Sequence, residues 1–440
     1  MYHHIKKVNS LTALIQLLIT ARMCASYLTN GINVMKYQIM QHKSAAISNN
    51  NNLALLNDDV CLPALLLKRD AALHNIRWMQ EFANQHKAQL APHAKTTMTP
   101  WLMAEQLKAG AWGLTVATPY QAVIAANTGA KNIILANQLV GPANIQVVLQ
   151  LLGLQHKVFV FADNKDNVSA LASAAVAAGL TLPLLIELGS KNGRCGCRDN
   201  QQALALAEHI HALPGVELAG IGFYEGAIDH NDNSNSIKHF VQQAAALAKV
   251  LFRQNLLQYE KPLLTGSGSA WYDIVARELN RATLPDNMQF ILRPGCYVTH
   301  DHGIYHQAQH SILQRSPQLK RLGPALKNAL EVAAYIQSVP EPGLAIIGAG
   351  KRDAAFDAGL PAVLKVYRNG SMIAAFAKAS RSFEIMDQHC FWHYPDNLQL
   401  QPGDMVLLAT SHPCLTFDKW RTLYLADNDY NLLEELATCF

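Results

Sequence analysis

From Leu90 to Leu292 a short β-rich run alternates eight times with a longer Ala/Leu/Gln pattern of helical period, and nothing else in the chain constrains its fold as strongly. The runs predict strands at Leu90–Ala94, Gly113–Ala117, Asn132–Asn137, Lys157–Ala162, Pro183–Leu188, Leu218–Phe223, Pro262–Thr265 and Gln289–Leu292. Helical patterns lie between them, among them Pro100–Ala109, Pro119–Ala126, Asn164–Ala178, Asn200–Ala212 and Ser236–Leu251. Repeated βα units build a parallel sheet, and eight of them in about 200 residues are the number and size of a (β/α)8 barrel of the TIM type. An open doubly wound sheet is the alternative.

After Pro294 glycine, proline and aromatic residues become frequent, and β-rich runs fall at Leu330–Ile336, Leu344–Ile347, Ala362–Tyr367 and Met405–Leu408. The expected fold class is therefore α/β: an amino-terminal extension over 1–55, the barrel over 56–295 and a smaller β-rich domain over 296–440. The run Pro63–Lys68 stands outside the eight-strand count and is expected to pair with the second domain.

Half of the 440 residues are hydrophobic and 15% are charged, a globular composition. Lys6, Lys7, Arg22, Lys36 and Lys43 account for the positive balance; setting those five aside leaves 31 basic against 32 acidic side chains. That balance argues against a nucleic-acid surface, and no apolar run approaches bilayer length. The run Leu11–Ile19 resembles a signal-peptide core but is followed by Arg22 and a poor cleavage pattern. An over-extended start, with the true one near Met35 or Met40, competes with a targeting segment. Ser48–Asn52 reads as a disordered linker. Eight cysteines scattered without a CxxC pair point to a reducing, cytoplasmic setting.

Placed on a barrel, several groups face the carboxyl ends of the strands, where barrel active sites form. Lys95 ends the first strand, partly desolvated and poised to condense with an aldehyde. Tyr224 ends the sixth in Gly222-Phe-Tyr-Glu-Gly226, and Arg194 follows the fifth. Gly266, Ser267 and Gly268, in Thr265-Gly-Ser-Gly-Ser269 after the seventh, offer backbone N–H groups to an anion. Arg293 and Tyr297 belong to Leu292-Arg-Pro-Gly-Cys-Tyr297 after the eighth. A lysine, an anion loop and arginines around one bowl are what pyridoxal 5′-phosphate requires.

The order Pro92-His-Ala-Lys95, Glu187-Leu-Gly-Ser-Lys-Asn-Gly-Arg-Cys-Gly196, Gly222-Phe-Tyr224, Thr265-Gly-Ser-Gly268 and Leu292-Arg-Pro-Gly295 resembles the fold-type III pyridoxal-phosphate enzymes related to alanine racemase. The likeness spans about Pro63 to Tyr424 and is greatest to the metal-dependent branch, which includes D-serine dehydratase, D-threo-3-hydroxyaspartate dehydratase and D-threonine aldolase. It implies a barrel followed by a β domain, a homodimer, and Lys95 as the residue that binds the cofactor and moves the Cα proton. It also implies Arg194 at the cofactor's phenolic oxygen, and Arg293 or Tyr224 at its ring nitrogen.

Ser411-His-Pro-Cys-Leu-Thr416 is similar to the segment in which the dehydratases place a His-x-Cys metal pair, where the aldolases resemble His-x-Asp. Two side chains at i and i+2 of an extended segment point to one side, a spacing that on its own is more often structural, and the resemblance implies that His412 and Cys414 are the ligands of a divalent ion. A thiolate favours zinc. The resemblance implies loss of the β-hydroxyl from a small D-3-hydroxy amino acid, giving a 2-oxo acid and ammonia. Retro-aldol cleavage is the alternative, and a non-catalytic cofactor carrier a further one. His300, His302 and His306 are read as structural or substrate-loop residues, and Cys195 and Cys197 as packing residues.

Overall fold

The computed structural model describes Lys43, residues 52–228 and residues 233–440. The expectation for the amino-terminal extension lies almost wholly outside the described residues.

Eight parallel strands form one ring, in the order Gln89–Leu90, Gln289–Leu292, Leu263–Gly266, Val216–Phe223, Leu182–Leu188, Lys157–Ala162, Asn132–Gln138 and Leu114–Val116. A parallel bridge between His93 and Thr115 closes it. The Trp112 N–H donates to Leu90 O and the Thr115 N–H to Pro92 O, each at 2.8 Å, across the same seam. This is the (β/α)8 barrel, and the doubly wound alternative is set aside.

Strand residues alternate between two environments, as the period of a β-strand requires. Val158, Val160 and Ala162 pack under the helices, whereas Phe159 and Phe161 join Ile134, Leu185, Leu263 and Ile291 in the barrel interior. The interior is therefore filled, and open space remains only where the strands end. Proline at the first turn opens the helices Pro100–Lys108, Pro119–Asn127 and Pro142–Gly153, where its missing N–H has no partner to lose. Asn164 and Asp199 side chains accept backbone N–H groups at the starts of Lys165–Ala177 and Asn200–His211. These caps fix where each crossover begins, and so where each strand end stops.

The second sheet has ten strands. Ala64–Lys68 lies near its centre, antiparallel to Leu330–Glu341 and parallel to Thr422–Ala426, as its position outside the eight-strand count suggests. Residues 296–322 are mostly helical and lean on the barrel: the Tyr272 hydroxyl donates to Gln309 Oε1 (2.6 Å) and Arg315 grips Asp273 (2.7 and 2.9 Å). Asn75 pins the turn after the last barrel strand by donating to Val298 O (3.1 Å) and Lys327 O (2.7 Å).

Pattern reading does not place strands at Ser371–Arg381 or Leu432–Ala437. The first is rich in alanine and the second reads Leu-Leu-Glu-Glu-Leu-Ala, both helical in composition. Each occupies an end of the second sheet, and cross-strand pairing there overrides intrinsic preference. Among the described residues no helix is long and apolar enough to cross a membrane.

Candidate active site

A cavity of about 400 Å³ opens at the carboxyl ends of the barrel strands. Every strand contributes to its wall: Lys95 and His93 follow the first, then come Ala117, Asn137, Phe161, Glu187, Tyr224, Ser267 and Arg293 in chain order. Cys296 and Tyr305 complete the barrel side, and His412 and Cys414 reach in from the second sheet. The structure thus gathers six of the expected groups, Lys95, Arg194, Tyr224, Arg293, His412 and Cys414, with the loop residues Ser267 and Gly268, around one space. Lys95 sits in a single turn, Ala94–Thr96, and is exposed at the cavity rather than partly desolvated as its strand-end position suggests.

Arg293 is 5% exposed. Its Nη2 donates to Phe223 O (2.6 Å), its guanidinium lies 5.2 Å from the Phe161 ring, and its Nε has no partner in the protein. Burial draws its pKa down to about 10, while Glu225 and Glu187 oppose the shift, so it stays a cation near neutral pH. His93 Nδ1 is also buried without a partner. Loss of hydration, then the charges of Lys95, Arg293 and Arg194, hold its imidazole well below the usual range. His93 escapes sequence reading because it stands in the Lys95 motif with no distinguishing signal of its own. Glu187 accepts from Gln138 Nε2 (2.6 Å), and burial raises its carboxyl.

The glycine loop differs from expectation in one respect. The N–H groups of Ser267 (3.1 Å) and Gly268 (2.7 Å) already donate to the carboxylate of Glu225, which is fully buried. Burial raises Glu225, and those two backbone donors oppose the shift. The loop N–H groups expected to meet a bound anion are therefore taken by a side-chain carboxyl of the chain itself. Ser267 itself has a φ of +82°, a strained region for a residue with a Cβ. A Cβ on Gly266 would meet the Phe223 ring at 2.3 Å, so this glycine serves packing and does not line the cavity. Gly268 lets the Tyr224 ring lie close: a Cβ there would stand 2.9 Å from Tyr224 Cε2. Burial pushes the Tyr224 phenol up to about 12, and it remains a neutral donor. Tyr297 lies outside the cavity; its hydroxyl accepts from Gln106 Nε2 (3.0 Å) inside the barrel wall.

Arg194 is exposed at the rim, its guanidinium 5.2 Å from the Tyr224 ring. The neighbouring Arg198 holds the loop's shape by donating to Cys195 O (2.7 Å), Gly196 O (3.0 Å) and Gly193 O (2.9 Å). Asp163 adds a further tie through the Gly196 N–H (2.8 Å).

His412 and Cys414 do not sit on an extended segment: Cys414 opens the short helix Cys414–Phe417, with Pro413 as its cap. Both side chains nevertheless reach the cavity. His412 Nδ1 is 2.7 Å from Asp357 Oδ2. Cys414 Sγ is 3.5 Å from Cys296 Sγ and 3.5 Å from Thr96 Oγ1. Hydrogen bonds with Cys296, His412 and Thr96 lower the Cys414 thiol. His412 is raised to about 9, first by its hydrogen bond with Cys414 and then by Asp357. A thiolate and an oriented imidazole form a donor pair that fits a divalent metal ion. The ring centroids of His302 and His306 are 6.1 Å apart and those of His300 and His306 are 6.0 Å apart. Among the described residues only Asp163, Glu187 and Cys195 form a group of three His, Cys, Asp or Glu ligand atoms near enough for one ion, so the three histidines do not. Asp163 is already engaged in holding the Arg194 loop.

The two orphaned donors or acceptors on the wall, His93 Nδ1 and Arg293 Nε, together with an accessible lysine, fit a flat heteroaromatic aldehyde with polar ring atoms. The comparisons with known proteins agree. Residues 67–271 match the alanine racemase N-terminal domain and residues 329–426 a serine dehydratase domain. The chain is 30% identical over 305 residues to the D-threonine aldolase of an Arthrobacter species, covering 68% of this chain and 74% of that one. It is a fold-type III pyridoxal-phosphate enzyme. Among solved members of this fold, the D-threonine aldolase of Filomicrobium marinum superposes with a TM-score of 0.73 at 23% identity, over 88% of this chain and 97% of that one. The D-threo-3-hydroxyaspartate dehydratase of Delftia sp. HT23 gives 0.69 at 20% identity, over 88% and 98%. The curated relatives are a D-threonine aldolase, 3-hydroxy-D-aspartate aldolases and a D-threo-3-hydroxyaspartate dehydratase, and this chain, like them, is a lyase.

Proposed function

We propose that the chain is a pyridoxal-phosphate- and divalent-metal-dependent dehydratase of small D-3-hydroxy amino acids, with D-serine-like substrates, releasing a 2-oxo acid and ammonia. The observation that carries this reading is the cysteine at position 414, beside His412 and across one cavity from Lys95. Bound pyridoxal phosphate supplies an electron sink that acidifies the substrate's Cα–H. Lys95, the accessible amine of the cavity, holds the cofactor and moves the Cα proton. Arg293 remains charged and offers Nε–H to the ring nitrogen, while Arg194 at the rim serves the phenolic oxygen. Tyr224, a neutral phenol, stands by the glycine loop as a further donor. His412 and Cys414 hold a divalent ion, zinc by the softness of the thiolate, whose Lewis acidity suits a hydroxyl leaving group.

D-threo-3-hydroxyaspartate dehydratase has been solved with a histidine replaced by alanine and, in the metal-free form, with a cysteine two positions further on replaced by alanine. The spacing is that of His412 and Cys414 and supports their reading as the ion's ligands. A second reading, retro-aldol cleavage to glycine and an aldehyde, is supported by the aldolase relatives, at 30% and 26% identity. Exposed Met372, Ile373, Phe383 and Met386 on the second domain support a homodimer. The deciding experiment incubates purified protein, cofactor and zinc with a panel of D- and L-3-hydroxy amino acids and measures oxo acid, ammonia and aldehyde separately. Oxo acid with ammonia from D-substrates is expected. Glycine with aldehyde replaces the proposal with the aldolase reading, and no turnover with cofactor bound replaces it with a carrier.

A further inference from the structure

Cys296 and Cys414 are 118 positions apart in sequence, one in the turn after the last barrel strand and the other at the head of a short helix of the second domain. Their sulfurs nevertheless touch at 3.5 Å. Cys296 is buried, with Thr96 Oγ1 4.0 Å from its sulfur. Cys414 is half-buried and lines the cavity, so a small solute that enters the cavity meets it. Both cysteines line the cavity, Cys414 the more exposed of the two, so one sulfur is open to attack while the other stands within reach of it, the arrangement of an attacked thiol and its resolving partner.

We propose that Cys296 and Cys414 form a reversible disulfide under peroxide, and that this link removes the sulfur ligand from the His412–Cys414 pair. The second half of the statement rests on the reading of that pair as the ion's ligands; the first half does not. The chemistry balances with hydrogen peroxide as the oxidant. Cys414 sulfur attacks one peroxide oxygen, the O–O bond breaks, and the other oxygen leaves as water, giving a sulfenic acid. Cys296 sulfur then attacks Cys414 sulfur, the S–O bond breaks, and a second water departs with the Cys296 proton. Two thiols and one peroxide become one disulfide and two waters. The sulfurs must close from 3.5 Å to a bond of about 2.05 Å, a movement of side-chain size. An ion on Cys414 ties up the nucleophilic lone pairs and protects the pair from the first step.

The test treats the full-length protein, either stripped by a chelator or loaded with zinc, with hydrogen peroxide. It then reads intact mass, a non-reducing peptide map and zinc uptake. The stripped protein is expected to lose two hydrogen masses, to show the Cys296 and Cys414 peptides joined, and to lose zinc uptake until dithiothreitol restores it. The zinc-loaded protein stays reduced. In Cys296→Ser no joined peptide forms, and Cys414 proceeds to sulfinic acid, which dithiothreitol does not reverse. No joined peptide in the stripped protein, or full recovery of Cys296→Ser with dithiothreitol, overturns the pairing. A joined peptide that leaves zinc uptake intact overturns the gating and with it the assignment of His412 and Cys414 to the ion.

Discussion

Glu225 is the residue whose replacement most sharply tests how the glycine loop at Ser267 and Gly268 is held. Its buried carboxylate takes the N–H groups of both Ser267 and Gly268, which shape the wall opposite Tyr224. In Glu225→Gln the amide oxygen accepts one of these N–H groups, and the amide nitrogen, itself a donor, faces the other. One buried donor then lacks an acceptor, at a cost of about 1–3 kcal/mol. Arg293 loses a neighbouring countercharge at the same time, which acts in the same direction. If the strain is expressed where the loop meets the cofactor, affinity for pyridoxal phosphate falls about 5- to 150-fold. Absorbance titration of the apo variant measures that loss, and thermal unfolding without cofactor shows how much of the cost the fold itself carries. Unchanged affinity together with unchanged stability refutes the role given to Glu225. Tighter binding refutes it differently, by showing that the carboxylate competes with the cofactor for the two N–H groups.

Tyr297→Phe removes the acceptor for Gln106 Nε2, so stability is expected to fall by about 1–3 kcal/mol while cofactor affinity in the same titration stays unchanged. Weakened affinity would return Tyr297 to the site. His300 is held down to about 3 by burial, against an ordinary value near 6.5. Between those values the unfolded chain takes up a proton that the folded chain refuses, so stability drops as pH falls through the window, by about 1.4 kcal/mol per pH unit for each proton. His300→Asn removes that contribution. Urea midpoints at pH 7 and pH 5 should therefore converge in the variant, and an acid slope equal to that of the parent contradicts the burial argument.

What was legible in the sequence follows from the period of its pattern. Buried strands such as Lys157–Ala162 announce themselves by a continuous apolar run, and the polar residues just past such runs, Lys95, Tyr224 and Arg293, inherit their place at the mouth from the strand count. Relations between loops leave no such trace. Nothing local says that Glu225 spans 42 positions to meet the Ser267 N–H, or that Cys296 meets Cys414, because both depend on how separate strand ends converge. His93 Nδ1 likewise becomes distinctive only once the ring has closed around it. His412 and Cys414 both reach one cavity, but not through the extended i, i+2 geometry, since a helix begins at Cys414. The strand Leu432–Ala437 goes unplaced for the opposite reason, because its composition is helical and sheet pairing there outweighs local preference.

In the proposed function Lys95 is the amine to which the cofactor is attached. Borohydride reduction of the cofactor-loaded protein, followed by proteolysis and mass mapping, tests that attachment. One modified peptide is expected, carrying the reduced cofactor on Lys95, and none in Lys95→Ala. A stable adduct on any other lysine, or no adduct at all, contradicts it.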